Sequence, residues 1–235
     1  MEFKKLSAPS LKDLFVRELE NAILSESLPI GAKLPPEREL AAQMQVSRTV
    51  VNAGVAELAQ KGFLEVSPRQ GTVVADYRRN GNMNTLIAIM DYRGGALGKG
   101  EIRAILEVRR ALEHLAAVLV IKNASDEALV PLARLVDELG QAQTPADATQ
   151  LAFQFHHELA FAGGNSILPL IYTSFRAPIE LLWQRFCRKY GVETLYQNTA
   201  RLFEYIRGRD EKNAAEWIDL YLGEAIEGRF QIYLE

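Results

Sequence analysis

The stretch from Pro35 to Ala75 constrains the fold most: PPERELAAQMQVSRTVVNAGVAELAQKGFLEVSPRQGTVVA. A helix turns about 100° per residue, so apolar positions three and four apart share one face. Leu40, Ala41 and Met44 have that spacing, and so do Val51, Val55 and Leu58. Between the two sets, Gln45-Val46-Ser47 has room for a turn and little else. Ser47 suits an N-cap and Gly62 a stop, which predicts a second helix from Arg48 to Lys61. Beyond Gly62 the period changes. Phe63 to Ser67 and Thr72 to Ala75 read as two short strands joined by Pro-Arg-Gln-Gly. The product is helix, turn, helix and a two-stranded wing.

The second of these helices has an edge without large apolar residues: Arg48, Thr49, Asn52, Ala53 and Ala56. In isolation that describes any surface helix. Its neighbours change the reading, because a helix-turn-helix followed by a wing places the second helix in the major groove of double-stranded DNA. Arg48 would then fork onto guanine and Asn52 pair bidentately with adenine. Arg69, at the wing tip, reaches phosphate or the minor groove.

The runs GAKLPPERELAAQMQVSRTVV and LAQKGFLEVSPRQGTVV resemble the winged-helix domain of the GntR family of bacterial transcriptional regulators, over nearly all of residues 1–78. The resemblance rests on three spaced elements in order: Leu-Pro-x-Glu-Arg-Glu-Leu, Val-Ser-Arg-Thr and Arg-x-Gly-Thr. With the groove geometry, it implies operator contacts from Arg38, Ser47, Arg48, Thr49, Asn52, Arg69, Gln70 and Gly71. Two positions depart from the family pattern, Asn52 where Arg is usual and Pro36 where Ser is usual. Exchanging Arg for Asn shortens the reach and replaces a guanine preference by an adenine one.

After the wing, residues 79–100 are turn-rich, with TLIAIMDY as a short apolar helix and four glycines following within RGGALGKGE. They are expected to link the winged helix of 1–78 to a second domain over 101–235. That second domain is helical almost without interruption. Ile102, Ile105, Leu106, Arg109, Leu112, Leu115, Ala116 and Leu119 form one stripe, with a guanidinium inside it. Further helices are expected at SDEALVPLARLVDELGQA, from Thr144 to Gly163, and roughly over Ser166–Lys189, Thr194–Gly208 and Glu211–Tyr233. The chain is therefore mainly α, an N-terminal winged helix-turn-helix followed by an all-α antiparallel bundle of about six helices.

EVRRALE, FHHELAFAGGN and YIRGRDEKNAAEWIDLYL resemble the ligand-binding FCD domain of the same regulators. Many FCD domains hold a divalent metal, and the resemblance puts the metal positions at Ala152, His156, Thr199 and Tyr221. Only His156 keeps a ligand side chain, and one imidazole is too few for such a site. No metal or other cofactor is expected. The fatty-acid-responsive branch also lacks the metal set, yet its acyl-coenzyme A contacts fall here on Leu222, Ala225 and Arg229, a different set of side chains. What remains is a cavity, polar at Arg109, His156, Thr199 and Tyr221, for a small organic and anionic effector. Two alternatives stay open. His156 and Tyr221 are packed core residues of a filled bundle, or Arg109 is held by Glu113, one turn along, instead of by a ligand.

Charge and composition narrow the partners. The chain of 235 residues carries a net charge of −3, divided as 11 Lys and Arg against 10 Asp and Glu up to Arg79 and 16 against 20 thereafter. A nearly neutral reading head needs two half-sites to bind well, which implies a homodimer. The single cysteine, Cys187, excludes an internal disulfide framework and suits a reducing compartment. No stretch reads as a signal peptide or membrane span, so a cytoplasmic location without membrane contact is expected. Adjacent His156 and His157 point about 100° apart and cannot serve one substrate. The expectation is an effector-modulated, DNA-binding transcriptional regulator, most simply a repressor. A metal-dependent carboxylate sensor or an acyl-coenzyme A-responsive regulator of lipid metabolism is the alternative, and an α-helical enzyme comes last.

Overall fold

The computed structural model describes residues 9–68, 71–92 and 99–233. It divides into two compact units, Met1–Ala96 and Leu97–Glu235.

In the first unit, helix α1 (Leu11–Leu24) starts at a capping box in which Ser10 and Asp13 satisfy each other's backbone amides. It buries Phe15, Val16, Leu19 and Ile23. Helix α2 (Glu37–Gln43) follows Pro36 and buries Leu40 and Ala41. Gln45, at φ 52°, turns the chain into α3 (Arg48–Gln60). There the Ser47 hydroxyl accepts from the Val50 amide at 3.2 Å, and Gly62 leaves the helix at φ 77°. Val51, Val55 and Leu58 are buried as their spacing requires, joined by Gly54. A Cβ at Gly54 would lie 2.2 Å from the ring of Phe15, so the close crossing of α1 on α3 depends on the missing side chain.

Strands β1 (Leu64–Ser67) and β2 (Gly71–Val74) pair antiparallel with Leu64 opposite Val74 and Ser67 opposite Gly71. A bridge from Lys33 to Val73 covers the outer edge of β2. The compact unit continues past residue 78 through α4 (Tyr77–Asn80) and α5 (Met83–Asp91). The reason is local: Asn82 Nδ2 donates to the Gln60 carbonyl at 2.9 Å, the Thr85 hydroxyl donates to that of Lys61, and Ala88 joins the first core.

The second unit contains seven α-helices among the described residues, one more than the periodicity suggests. They are α6 (Lys99–Asn123), α7 (Val130–Gly140), α8 (Pro145–Ala162), α9 (Leu168–Ser174), α10 (Arg176–Tyr190), α11 (Val192–Arg207) and α12 (Glu211–Ile226). The run expected over Ser166–Lys189 is broken at Phe175. Pro178 explains the break, since its ring has no amide to give the Ser174 carbonyl and would crowd it in a continuous helix. The last helix stops at Ile226, and the chain folds back so that the Arg229 amide meets the Glu224 carboxylate at 2.7 Å.

The inward stripe of α6 also differs from expectation. Leu115 is 44% exposed, while Glu113, Ala116, Ala117 and Val120 are buried. The buried face runs through Ile102, Arg109 and Ala116 and through Leu106, Glu113 and Val120; Glu113 lies about 40° from Arg109 around the axis and turns inward with it, while Leu115, about 120° away, turns out. Helix α8 packs against α6, α7, α9, α10 and α11, and it buries three alanines, Ala148, Ala152 and Ala160, alongside Phe155 and His156.

Candidate nucleic-acid interface and effector cavity

The polar edge of α3 lies open. Ser47, Arg48, Thr49, Asn52, Ala53 and Ala56 are exposed, as is Arg38 on α2. Most other arginines of the chain are committed, such as Arg209 to Asp126 at 2.7 Å and Arg176 to Glu180 at 2.8 Å. Arg38 and Arg48 form no ion pair with the described residues, so both guanidiniums keep all their donors for a partner. Gly71 begins the returning strand at φ 86°, a conformation glycine adopts without strain. Arg69 and Gln70 lie outside the described residues.

Two neighbours of this edge were not singled out from the sequence. Lys33 is exposed beside the wing, where its Cε would be 3.1 Å from a Cβ at Gly71. Glu37, the first residue of α2, reaches across to α3. The Asn52 amide, in the orientation its surroundings require, donates to the Arg48 carbonyl at 3.0 Å and to Glu37 Oε2 at 2.6 Å. Both amide hydrogens are thereby used, which leaves none for the bidentate adenine contact expected of Asn52.

In the second unit, Arg109, His156, Thr199 and Tyr221 come together around one cavity, with Leu106, Trp183 and Leu222 among the apolar walls. Its open volume is about 440 Å³ counted to the mouth, yet only about 20 Å³ admits the centre of a water molecule. That is room for one or two waters. Leu222 and Ala225 line it, whereas Arg229 lies beyond the end of α12, exposed, over the ring of Phe230. Thr199 spends its hydroxyl on the Leu195 carbonyl at 3.0 Å. The Tyr221 hydroxyl has no hydrogen-bond partner among the described residues.

Arg109 is not a free cation. Its Nε lies 2.5 Å from Glu113 Oε1, and its guanidinium covers the face of Trp183, 4.3 Å from the ring centre. The open alternative in which Glu113 holds Arg109 is thus the observed one. Trp183 stacks in turn on His156 at 5.3 Å, and His156 Nδ1 is 3.8 Å from Glu113 Oε1. Glu113 Oε2, His156 Nδ1 and the Tyr172 hydroxyl are buried without hydrogen-bond partners among the described residues. Among the described residues, no three His, Cys, Asp or Glu side chains gather to hold a metal ion. Burial pushes the Cys187 thiol up to about 11, so it is no poised nucleophile.

Burial pulls the His156 imidazole down to about 4 from an ordinary 6.5; the nearby Glu113 carboxylate opposes this and Arg109 adds to it. The folded protein therefore carries His156 neutral, while the unfolded chain takes up a proton below about 6.5. Stability from this group is complete above that pH and is lost as pH falls toward 4, by about 3 kcal/mol in all. Urea unfolding at pH 7 and pH 4.5 should show His156→Gln losing less stability on acidification than the wild type, by about 2 kcal/mol. Equal losses would assign the acid sensitivity to other groups.

Comparison with known proteins agrees with both units. Residues 13–74 match the model of the GntR family of bacterial regulatory proteins, and residues 104–224, just over half the chain, match the FCD domain. The HTH-type transcriptional regulator Mce2R of Mycobacterium tuberculosis is 26% identical over 180 residues, 77% of this chain and 75% of that protein. A fatty acid metabolism regulator protein of Shewanella halifaxensis is 28% identical over 169 residues, 72% of this chain and 67% of its own. The solved structure of Lar, which controls expression of the Listeria monocytogenes agr system, superposes with a TM-score of 0.65 at 14% identity, over 96% of this chain and 99% of that one; it shares the fold. The chain belongs to the GntR family of bacterial regulatory proteins, in the branch that joins a winged helix to an FCD domain, and is a DNA-binding transcriptional regulator and not an enzyme.

Proposed function

We propose that the protein works in the cytoplasm as a homodimer whose two winged helices read the half-sites of an operator, and that a small organic effector in the helical unit modulates this binding without a metal. The observation that carries the first part is the open edge of Arg38, Arg48 and Thr49, exposed beside the wing. Ser47 caps the reading helix, and Arg69, Gln70 and Gly71 would meet the backbone from the wing. Two symmetric heads offset the weak charge of each one. Val108 and Leu115, two turns apart on α6 and both more than 40% exposed, with Leu220 on α12, offer an apolar face for the second copy. Among the described residues no helix is long and apolar enough to cross a membrane.

The effector reading is shaped by charge and size. With Glu113 already on Arg109 and His156 neutral, the cavity has no surplus positive charge, and an anionic group reaching Arg109 would have to displace the Glu113 carboxylate. The free volume, room for one or two waters, opposes an acyl chain despite the likeness to a fatty acid metabolism regulator, and a small effector would enter by displacing lining side chains. Binding would bias the pair of heads toward one DNA-competent arrangement through the connection between α5 and α6. Native mass spectrometry of untagged protein purified without added metal should show a dimer with no stoichiometric zinc or nickel, and operator binding should be unchanged by EDTA. A bound metal whose removal alters operator binding would favour the metal-dependent carboxylate sensor instead.

A further inference from the structure

We infer that Glu37 is a positioning residue for DNA reading, which makes Asn52 an acceptor-only reader and directs it to cytosine. The inference rests on the proposal that α3 enters the major groove. Asn52 is exposed on the groove-facing edge, and its Nδ2 is tied down twice, to the Arg48 carbonyl at 3.0 Å and to the Glu37 carboxylate at 2.6 Å. The second bond is charge-assisted, and the carboxylate sits in the first turn of α2, where the amide dipoles favour a negative group. An amide held in this way shows the groove its oxygen alone.

An acceptor facing the base edges has two answers, the amino groups of cytosine and adenine. Guanine and thymine offer acceptors there and are repelled. Adenine adds N7, a second acceptor, directly beside its amino group. Answering N7 needs the Nδ2 hydrogen that Glu37 holds, and the Glu37 carboxylate adds repulsion on the same side. Cytosine places no acceptor of its own next to its amino group, so the Glu37–Asn52 pair favours it. The usual rule that asparagine reads adenine fails here because its donor is spent inside the protein.

Selection from a random duplex library, using the full chain as wild type, Asn52→Ala and Glu37→Ala, tests this. The wild type should prefer cytosine by roughly tenfold at one position in each half-site. Asn52→Ala should lose the preference at that position alone. Glu37→Ala should shift it to adenine, since the freed donor restores the bidentate contact; Glu37→Ser serves the same purpose if the Ala variant melts at a lower temperature. The inference is overturned if the base altered by Asn52→Ala is adenine, guanine or thymine in the wild-type site, if Asn52→Ala changes no position, or if removing the Glu37 carboxylate leaves cytosine preferred. Failure of the wild type to enrich any site would overturn DNA reading by α3 itself, a distinguishable result.

Discussion

Glu113→Ala is expected to destabilise the helical unit by about 3–5 kcal/mol, because it strands a guanidinium in the interior. Glu113 is 0% and Arg109 7% exposed, so water cannot replace the lost carboxylate. The pair itself need not be a large source of stability. Its attraction is opposed by the cost of desolvating both ions, and an apolar pair of similar size packs as well. Arg109→Met combined with Glu113→Leu should therefore recover most of what either single change loses. Both tryptophans, Trp183 and Trp217, lie in this unit, so their fluorescence in urea at pH 7 follows its unfolding alone. A loss below about 1 kcal/mol for Glu113→Ala would mean that Arg109 has another counter-charge or reaches solvent.

This result bears on how the effector site can be probed. Arg109→Ala removes a structural ion as well as a candidate contact, and lost response in that variant would not separate the two. His156 lies against the same pair, its Nδ1 3.8 Å from Glu113, but its acid sensitivity comes first from burial, which the Glu113 carboxylate opposes.

Arg48→Ala is expected to weaken operator binding by about 1–3 kcal/mol while leaving the fold intact. The side chain is exposed, forms no ion pair with the described residues and contributes nothing to the first core, whose members are Val51, Val55 and Leu58 on the opposite face of α3. An Arg fork on guanine loses both hydrogen bonds at once, and a phosphate contact loses one released counterion. The two are separable, since only the former relaxes base preference and only the latter lowers the salt dependence by about one unit.

The reading head was legible because its signals are local. The N-cap at Ser47, the apolar spacing through Leu58, the stop at Gly62 and the wing glycine each act within a few residues, and the structure puts the buried and exposed faces of α3 where that spacing does. The bundle was legible as helices, less so in detail. Pro178 was available to mark the break at Phe175, but the apolar period runs through it. The α6 stripe diverges from expectation after Arg109 because apolar character favours Leu115 over Glu113, although Glu113 lies about 40° from Arg109 around the helix and Leu115 about 120°.

Side chains that meet across elements were the hardest to see. Arg109, His156, Thr199 and Tyr221 come from α6, α8, α11 and α12, and their convergence was available only through likeness to other FCD domains. Nothing in the spacing between Glu37 and Asn52, fifteen residues apart on different helices, announces that the first occupies the second. Trp183 and Tyr172 likewise carry no local mark of their stack on His156.

The central claim is that this chain reads DNA sequence with its first unit, and one comparison tests it directly. The affinity of the wild-type protein for a duplex selected from random sequence should be measured by fluorescence anisotropy against a scrambled duplex of the same length and composition, at one physiological salt concentration. Binding to the selected duplex should be tighter by at least about 10³-fold. Equal affinity for the two duplexes would contradict it.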